Sequence, residues 1–381
     1  MRAFVFTDKA LAKHARQFVW LSIDTEKTQN AAFAAKYPIR AWPSFYVIDP
    51  NREAITLRWV GGATVAELGK LFDDGAGTAG AAKPGGALAR ADKLYSEGKY
   101  AESIAAYRDA LRAMPKSAPS YPRAVEALLF SLSVSDQRAE CVTVARGAMS
   151  TVRSTAAAAV VAGSGLDCAL ALPDGAAGKA ADVAAFEKDA EAVLADPKLH
   201  LAADDRSALY GSLVDARRDA NDDAGARRVA LAWVADLDAS ALAAKTPEQW
   251  TALDPNRLNA FEAAGQIEKA IPMLEKSAQE FPEDYNPPAR LALVLLKLKR
   301  YDEALAASDQ ALAKVYGPRK LRVLAVRADI YKGMANEGAA RKTVEEALSY
   351  AEALPAGQRS ESQVAALRKQ LGSLEAASSK P

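Results

Sequence analysis

The sequence predicts a mostly helical protein: an α-solenoid of helical hairpins preceded by a small α/β segment. Three observations predict it. Alanine, the best helix former and small enough to let helices approach closely, occurs 86 times in 381 residues. A frame of small residues recurs late in the chain, with Ala270, Ala304 and Ala340 separated by 34 and 36 residues. The first 72 residues instead carry short apolar runs and alternation, the pattern of strands.

In the N-terminal segment, Phe18–Ile23 is a nearly continuous apolar run that reads as a central strand. Thr28 opens a helix that Pro38 stops near Tyr37. Ser44–Ile48 and Ala54–Val60 read as a hairpin around the turn Asp49-Pro50-Asn51-Arg52. Thr64 and Glu67 form a capping-box pattern for a helix reaching about Phe72.

This order, with the string Tyr37-Pro38-Ile39-Arg40-Ala41-Trp42-Pro43-Ser44-Phe45, resembles the thioredoxin family. The resemblance covers residues 1–72. It implies that Pro43 is the family's cis-proline, that Gly61-Gly62 is the turn after the last strand, and that Ala41, Trp42 and Pro43 form the substrate-binding edge. Read from the residues alone, Pro43 could open a strand in trans and Trp42 could be core packing. The Cys-x-x-Cys of that family is missing: the first cysteine is Cys141, so the chain as written cannot exchange dithiols from this segment. A buried strand with too few neighbours leads to the expectation of a start codon placed too late, with a dithiol, and a signal peptide if the protein is exported to the periplasm, upstream of Met1. As written, the first eight residues lack the apolar core of a signal peptide, and the default location is cytoplasmic.

Residues 73–86, rich in Gly and Ala, read as a flexible linker. Residues 87–376 then read as the repeat array and 377–381 as a frayed tail. Gly98, Tyr100, Ser103, Tyr107, Ala110, Leu111 and Pro115 set a frame that returns at Gly265, Ile267, Ala270, Leu274, Ser277 and Pro282, at Tyr301, Ala304, Ser308, Ala311 and Leu312, and at Ala340, Val344, Ala347 and Leu348. This frame resembles the tetratricopeptide repeat, whose period is about 34 residues. Between residues 120 and 246, helical stretches at Arg123–Leu132, Ala139–Met149, Val183–Leu194, Arg206–Ala216 and Ala226–Leu237 read as degenerate hairpins.

A solenoid of helix pairs implies a protein or peptide partner in its groove. The Lys/Asn/Arg clamp that some tetratricopeptide proteins use for C-terminal carboxylates is absent, since Leu88, Asp92, Ala289 and Leu293 stand at the matching places. Residues 182–238 carry 13 acidic and 7 basic side chains, and residues 286–342 carry 12 basic and 5 acidic. The plain account is solvated helix faces. The sharper one is a basic groove of Lys297, Lys299, Arg300, Arg319, Lys320 and Arg322 that receives an acidic segment.

Net charge is +1 and no aromatic stacking pattern accompanies the basic residues, which argues against nucleic acid. No run approaches 18 apolar residues, so no membrane span is expected. With two cysteines and two histidines at no zinc spacing, and no hydrolase or nucleotide-binding motif, neither metal nor cofactor is expected. Cys141 and Cys168 read as two buried thiols, or as a disulfide between adjacent helices if the protein is exported. His14 reads as a surface residue, and His200 has no evident partner. Two functions remain open: a thiol–disulfide oxidoreductase with a client-presenting array, if a Cys-x-x-Cys lies upstream, and a non-catalytic repeat adaptor.

Overall fold

The computed structural model describes residues 4–37, 39, 42–80 and 86–378. In chain order the elements are α1 (Ala31–Lys36), β1 (Ser44–Asp49), β2 (Ala54–Val60), α2 (Val65–Gly80), α3 (Ala87–Ser96), α4 (Tyr100–Ala113) and α5 (Tyr121–Val134). There follow α6 (Arg138–Val152), α7 (Ala157–Leu170), α8 (Lys179–Ala195), α9 (Ala203–Asp219), α10 (Asp223–Ala243) and α11 (Pro247–Thr251). The last are α12 (Asp254–Ala263), α13 (Ala270–Glu280), α14 (Asn286–Lys297), α15 (Tyr301–Leu312), α16 (Arg319–Gly333), α17 (Glu337–Ala353) and α18 (Glu361–Ser378). The chain forms two compact units: Met1–Val19 with Arg40–Ala243, and Trp20–Ile39 with Ala244–Pro381.

Both units use one closure for their helical hairpins. The pairs α3–α4, α5–α6, α9–α10, α12–α13, α14–α15 and α16–α17 turn on a left-handed residue, respectively Gly98, Asp136, Asn221, Gly265, Lys299 and Ala335. At each, the next backbone N–H reaches back to a carbonyl five residues earlier, as from Lys99 to Leu94 (2.9 Å) and from Arg300 to Leu295 (2.9 Å). This satisfies carbonyls that a helix end leaves without partners. Only two of the six are glycine, so the remaining closures carry no plain sequence mark. The frame's small anchors Ala270, Ala304 and Ala340 are fully buried, together with Ser103, Ser277 and Ser308.

In the first unit, α7 is buried nearly all round, from Ala157 to Ala169. A helix without a polar face shows no amphipathic period, which is why the sequence marked it only as an apolar helical stretch around Cys168. Cys141 on α6 and Cys168 on α7 are both buried and joined in a disulfide, which replaces the expectation of two free thiols. The expected β1–β2 hairpin forms, antiparallel, with Ser44 opposite Val60 and a bulge at Val47/Ile48. The turn is held by Asp49 Oδ1, which accepts from the Asn51 N–H at 2.9 Å. The capping box also forms: Thr64 N–H donates to Glu67 Oε2 (2.8 Å) and Glu67 N–H to Thr64 Oγ1 (3.2 Å).

Three expectations for the N-terminal part change. Residues 19–24 form no strand, and the sheet among the described residues has two strands only. Phe18 packs on the cluster of Leu57, Trp59 and Phe72, whereas Val19, Trp20 and Leu21 are exposed. α2 continues through Gly80 rather than ending near Phe72, so the first eight residues of the stretch read as linker are helical. His14 is buried rather than exposed, with its ring 5.4 Å from that of Phe72 and Nδ1 3.1 Å from Gln17 Oε1.

The hairpin does not stand apart from the helices of its unit. Arg58 on β2 is 3% exposed and lies over the rings of Tyr46, Tyr95 and Tyr100 at 5.4, 5.7 and 5.8 Å. Its Nη1 donates to Tyr100 Oη at 2.8 Å, and Ser96 Oγ donates to the Ile55 carbonyl at 3.3 Å. A buried guanidinium is tolerable here because three aromatic faces offset part of its lost hydration. Beside it, Asp92 accepts from Tyr107 Oη (2.7 Å) and from both terminal nitrogens of Arg123 (2.8 and 3.0 Å).

Candidate functional site

The second unit carries the most site-like arrangement. It is built where three consecutive inter-repeat loops, α13–α14, α15–α16 and α17–α18, meet the segment Asp24–Lys36. Tyr285 ends the first loop. Asp284 Oδ1 accepts from the Asn286 N–H (2.8 Å), and prolines 287 and 288 start α14, which suits helix entry because their missing N–H groups would have no partner there. The Tyr285 ring packs on the buried cluster of Ala311, Val315 and Val323 and meets the ring of Tyr316 edge-on at 6.0 Å. Tyr316, Gly317 and Arg319 come from the second loop and the start of α16. Gly357 and Gln358 come from the third, where Gln358 N–H donates to the Pro355 carbonyl at 2.8 Å.

These groups converge on one acidic stretch. Tyr285 Oη donates to Glu26 Oε2 at 2.8 Å, and Arg319 Nε donates to Glu26 Oε1. Tyr316 Oη donates to Asp24 Oδ2 at 2.5 Å. Gln358 Nε2 donates to two backbone carbonyls, of Thr25 (2.8 Å) and Lys27 (3.1 Å). Lys27 Nζ lies 5.9 Å from the centre of the Tyr316 ring. The stretch holds its own bend, with Glu26 N–H donating to Asp24 Oδ1 (3.0 Å) and Asn30 Nδ2 to the Asp24 carbonyl (2.7 Å).

Two glycines make the approach possible. Gly317 has φ +58°, and a Cβ there would stand 2.0 Å from the Glu26 carbonyl oxygen. A Cβ on Gly357 would stand 2.2 Å from the Ala31 carbonyl oxygen and 3.0 Å from Ala35 N. Both distances are far inside van der Waals contact, so any side chain would push the segment off. The hydrogen bond to Asp24, followed by burial, raises the Tyr316 hydroxyl to about 12, and burial with the bond to Glu26 raises that of Tyr285 further. Both therefore stay protonated donors at neutral pH.

Among the residues expected to form a basic groove, the structure places only Arg319 at this site. Lys297 pairs with Glu262, Arg300 with Glu303, and Lys299 takes the left-handed turn between them. Those three lie at the far end of α14 from the α15–α16 loop, a separation of about 18 Å for a twelve-residue helix. Lys320 is 3.1 Å from Glu346 and lies over the Tyr350 ring at 4.8 Å, and Arg322 is exposed. Sequence reasoning missed Asp24, Glu26, Tyr285, Tyr316 and Gln358. The available signal was a pair of glycines, 317 and 357, between hairpins rather than within them. In the first unit, Trp42 is 59% exposed beside Pro43, and the bond between them is cis, the isomer the resemblance implied; Ala41 lies outside the described residues.

Among the described residues no helix is long and apolar enough to cross a membrane, and no cluster of His, Cys, Asp and Glu is placed to hold a metal ion.

A tetratricopeptide-repeat family model matches residues 262–330. This part of the array is made of tetratricopeptide repeats. No curated protein matches the chain. Among solved structures, a tetratricopeptide repeat protein from Parabacteroides merdae is 11% identical with a TM-score of 0.47, covering 76% of this chain and 97% of that one. The TPR2AB domain of yeast Sti1, solved in complex with pHSP90, is 15% identical with a TM-score of 0.30 over 76% of this chain and 97% of its own. The assembly chaperone of RpL4, Acl4, is 14% identical with a TM-score of 0.31, over 78% of this chain and all of that one.

Proposed function

We propose that this chain is a non-catalytic adaptor whose repeat array holds a protein or peptide partner. The observation that carries this reading is the repeat edge at Tyr285, Tyr316, Arg319 and Gln358, which already grips an irregular stretch of chain through its carboxylates and backbone carbonyls. Repeat arrays recognise partners by such lines of side chains.

The likeness of residues 1–72 to thioredoxins enters this reading as a contact module. Thiol–disulfide exchange there lacks its reagent, because both cysteines of the sequence lie on α6 and α7, buried and bonded to each other. Exposed Trp42, beside Pro43 and Ala41, would then be a place where the hairpin touches a client.

A photo-cross-linking residue placed singly at Trp42, Lys299 and Arg322, in cells of the native source, tests the adaptor. A discrete partner polypeptide cross-linked from Lys299 or Arg322 is the expected result. Solvent-quenched chain alone at all three positions would overturn it.

A further inference from the structure

We propose that the edge formed by Tyr285, Tyr316, Gly317, Arg319 and Gln358 is a binding site for acidic peptides with Asp and Glu two residues apart, and that Asp24–Lys27 is its resident, displaceable occupant. The inference rests on the adaptor reading and adds to it where the partner sits and what chemistry it presents.

Three observations carry it. First, the contacts are those a foreign peptide could reproduce. The site reads two carboxylates, two backbone carbonyls and the Lys27 ammonium of the resident, all of them polar groups. Charge-assisted bonds from Arg319 and two tyrosine hydroxyls define the class as acidic.

Second, the resident leaves the site incompletely satisfied. Gln358 is 9% exposed, and its Oε1 has no hydrogen-bond partner among the described residues while Nε2 is used twice. A buried acceptor without a donor is costly, and a peptide that places a backbone N–H there would remove the cost.

Third, the resident is lightly anchored in its own right. Residues 24–27 carry no helix or strand of their own; a 3-10 turn, Thr28–Asn30, and the six residues of α1 follow, and the segment is next buried at Tyr37. Leu21, just before it, is 74% exposed. Glycines at 317 and 357 keep the edge open to a passing backbone, a need that helix packing alone does not create.

An intramolecular occupant competes at high effective concentration, so a peptide added from outside meets a mostly filled site. Releasing the occupant should raise the apparent affinity for the peptide by at least about tenfold.

The test is fluorescence anisotropy with a fluorescein-labelled peptide of residues 22–30, added to the full chain. The Asp24→Asn/Glu26→Gln chain should bind it at least about tenfold more tightly than the wild-type chain does. Adding Arg319→Ala or Gly317→Ala to that chain should return binding to the wild-type level or below. A peptide carrying Asn and Gln at the two acidic positions should not bind. Equal binding by the wild-type and released chains, or equal binding of the neutral peptide, would overturn the proposal. Should the released chain fail to fold, the wild-type chain with excess acidic peptide decides: faster hydrogen exchange over residues 24–30 supports displacement, and unchanged exchange overturns it. Partner cross-links from Lys299 or Arg322 together with a failed peptide test would leave the adaptor standing and remove this site.

Discussion

Each unit fastens a non-repeat piece of the N-terminal region to its helices, and the two fastenings are opposites. In the first unit the β1–β2 hairpin is held by Arg58 sunk among three tyrosine rings, beside the buried Asp92–Arg123 pair. In the second, Asp24–Lys27 is held at a loop edge by carboxylates, hydroxyls and backbone carbonyls. A buried cage gains from excluding water and offers no access to water or to another peptide. A polar edge exchanges bonds with water or with another peptide at modest cost. The first fastening is architecture, and the second is exchangeable.

The largest expected effect widens that contrast. The disulfide of the first unit closes a loop between positions 27 residues apart, whereas both cysteines lie outside the second unit. Loop-closure entropy assigns it about 3–4 kcal/mol. In urea, reduction or a double Cys→Ser change should bring the unfolding of the first unit to lower denaturant and leave that of the second in place. A common shift of both transitions would show that the two units do not unfold independently.

Next in size is the cage itself. Arg58→Ala removes the stem packed on three rings and leaves a cavity, at a cost of about 2–3 kcal/mol. Arg58→Met should cost less, because Nε and Nη2 of the buried guanidinium have no hydrogen-bond partner among the described residues and the charge is expensive to bury. Fluorescence of buried Trp59, one residue away, follows both variants in urea. If Met were as damaging as Ala, the cation rather than its stem would be what holds the hairpin.

What the sequence made legible divides along the same line. The β1–β2 hairpin, the Thr64–Glu67 capping box and the small anchors at Ala270, Ala304 and Ala340 are local or periodic, and all were readable. Helix α7 was legible only as an apolar helical stretch around Cys168, without bounds, since burial nearly all round erases the amphipathic period. The left-handed closures at Asp136, Asn221, Lys299 and Ala335 were hidden because ordinary residues occupy them. At the candidate site the reading reached Arg319 and an acidic ligand, but the acidic partner belongs to the same chain, 293 residues away. Pattern along the sequence holds no record of such a contact. Cys141 and Cys168 were legible as buried, and their pairing depended on which helices become neighbours.

A third difference concerns carboxylates. Asp24 and Glu26 are each met by donors, whereas Asp205 in the first unit is half-buried near the carboxylates of Glu67 and Asp204. Burial first, then Glu67 and Asp204, raise Asp205 to about 7 from an ordinary 3.8. Burial first, then Glu67 and Asp205, also raise Glu126. A carboxyl whose folded value is raised binds a proton more readily in the folded state, so stability of the first unit declines as pH climbs from about 4 through 7. Asp205→Asn should therefore stabilise that unit by about 1 kcal/mol at pH 8 and leave it unchanged at pH 4. Thermal melts at the two pH values check this, and equal shifts at both would mean that packing, not charge, sets the effect.

The smallest effect separates the fastenings most cleanly. Raising salt from about 0.05 to 0.5 M shortens the screening length from roughly 14 Å to about 4 Å. The Glu26–Arg319 pair, with Arg319 38% and Glu26 17% exposed at the side chain, should weaken by about 0.5 kcal/mol, roughly a twofold increase in opening. Hydrogen exchange reads it directly: amides of Glu26 and Lys27, which donate to Asp24, should exchange about twice as fast at high salt. Amides of β2 around Leu57 and Arg58 should not respond, because the cage offers salt no access. An equal response in both places would mean that the segment is bound as firmly as the hairpin, and an occupant that firm could not give way to a partner.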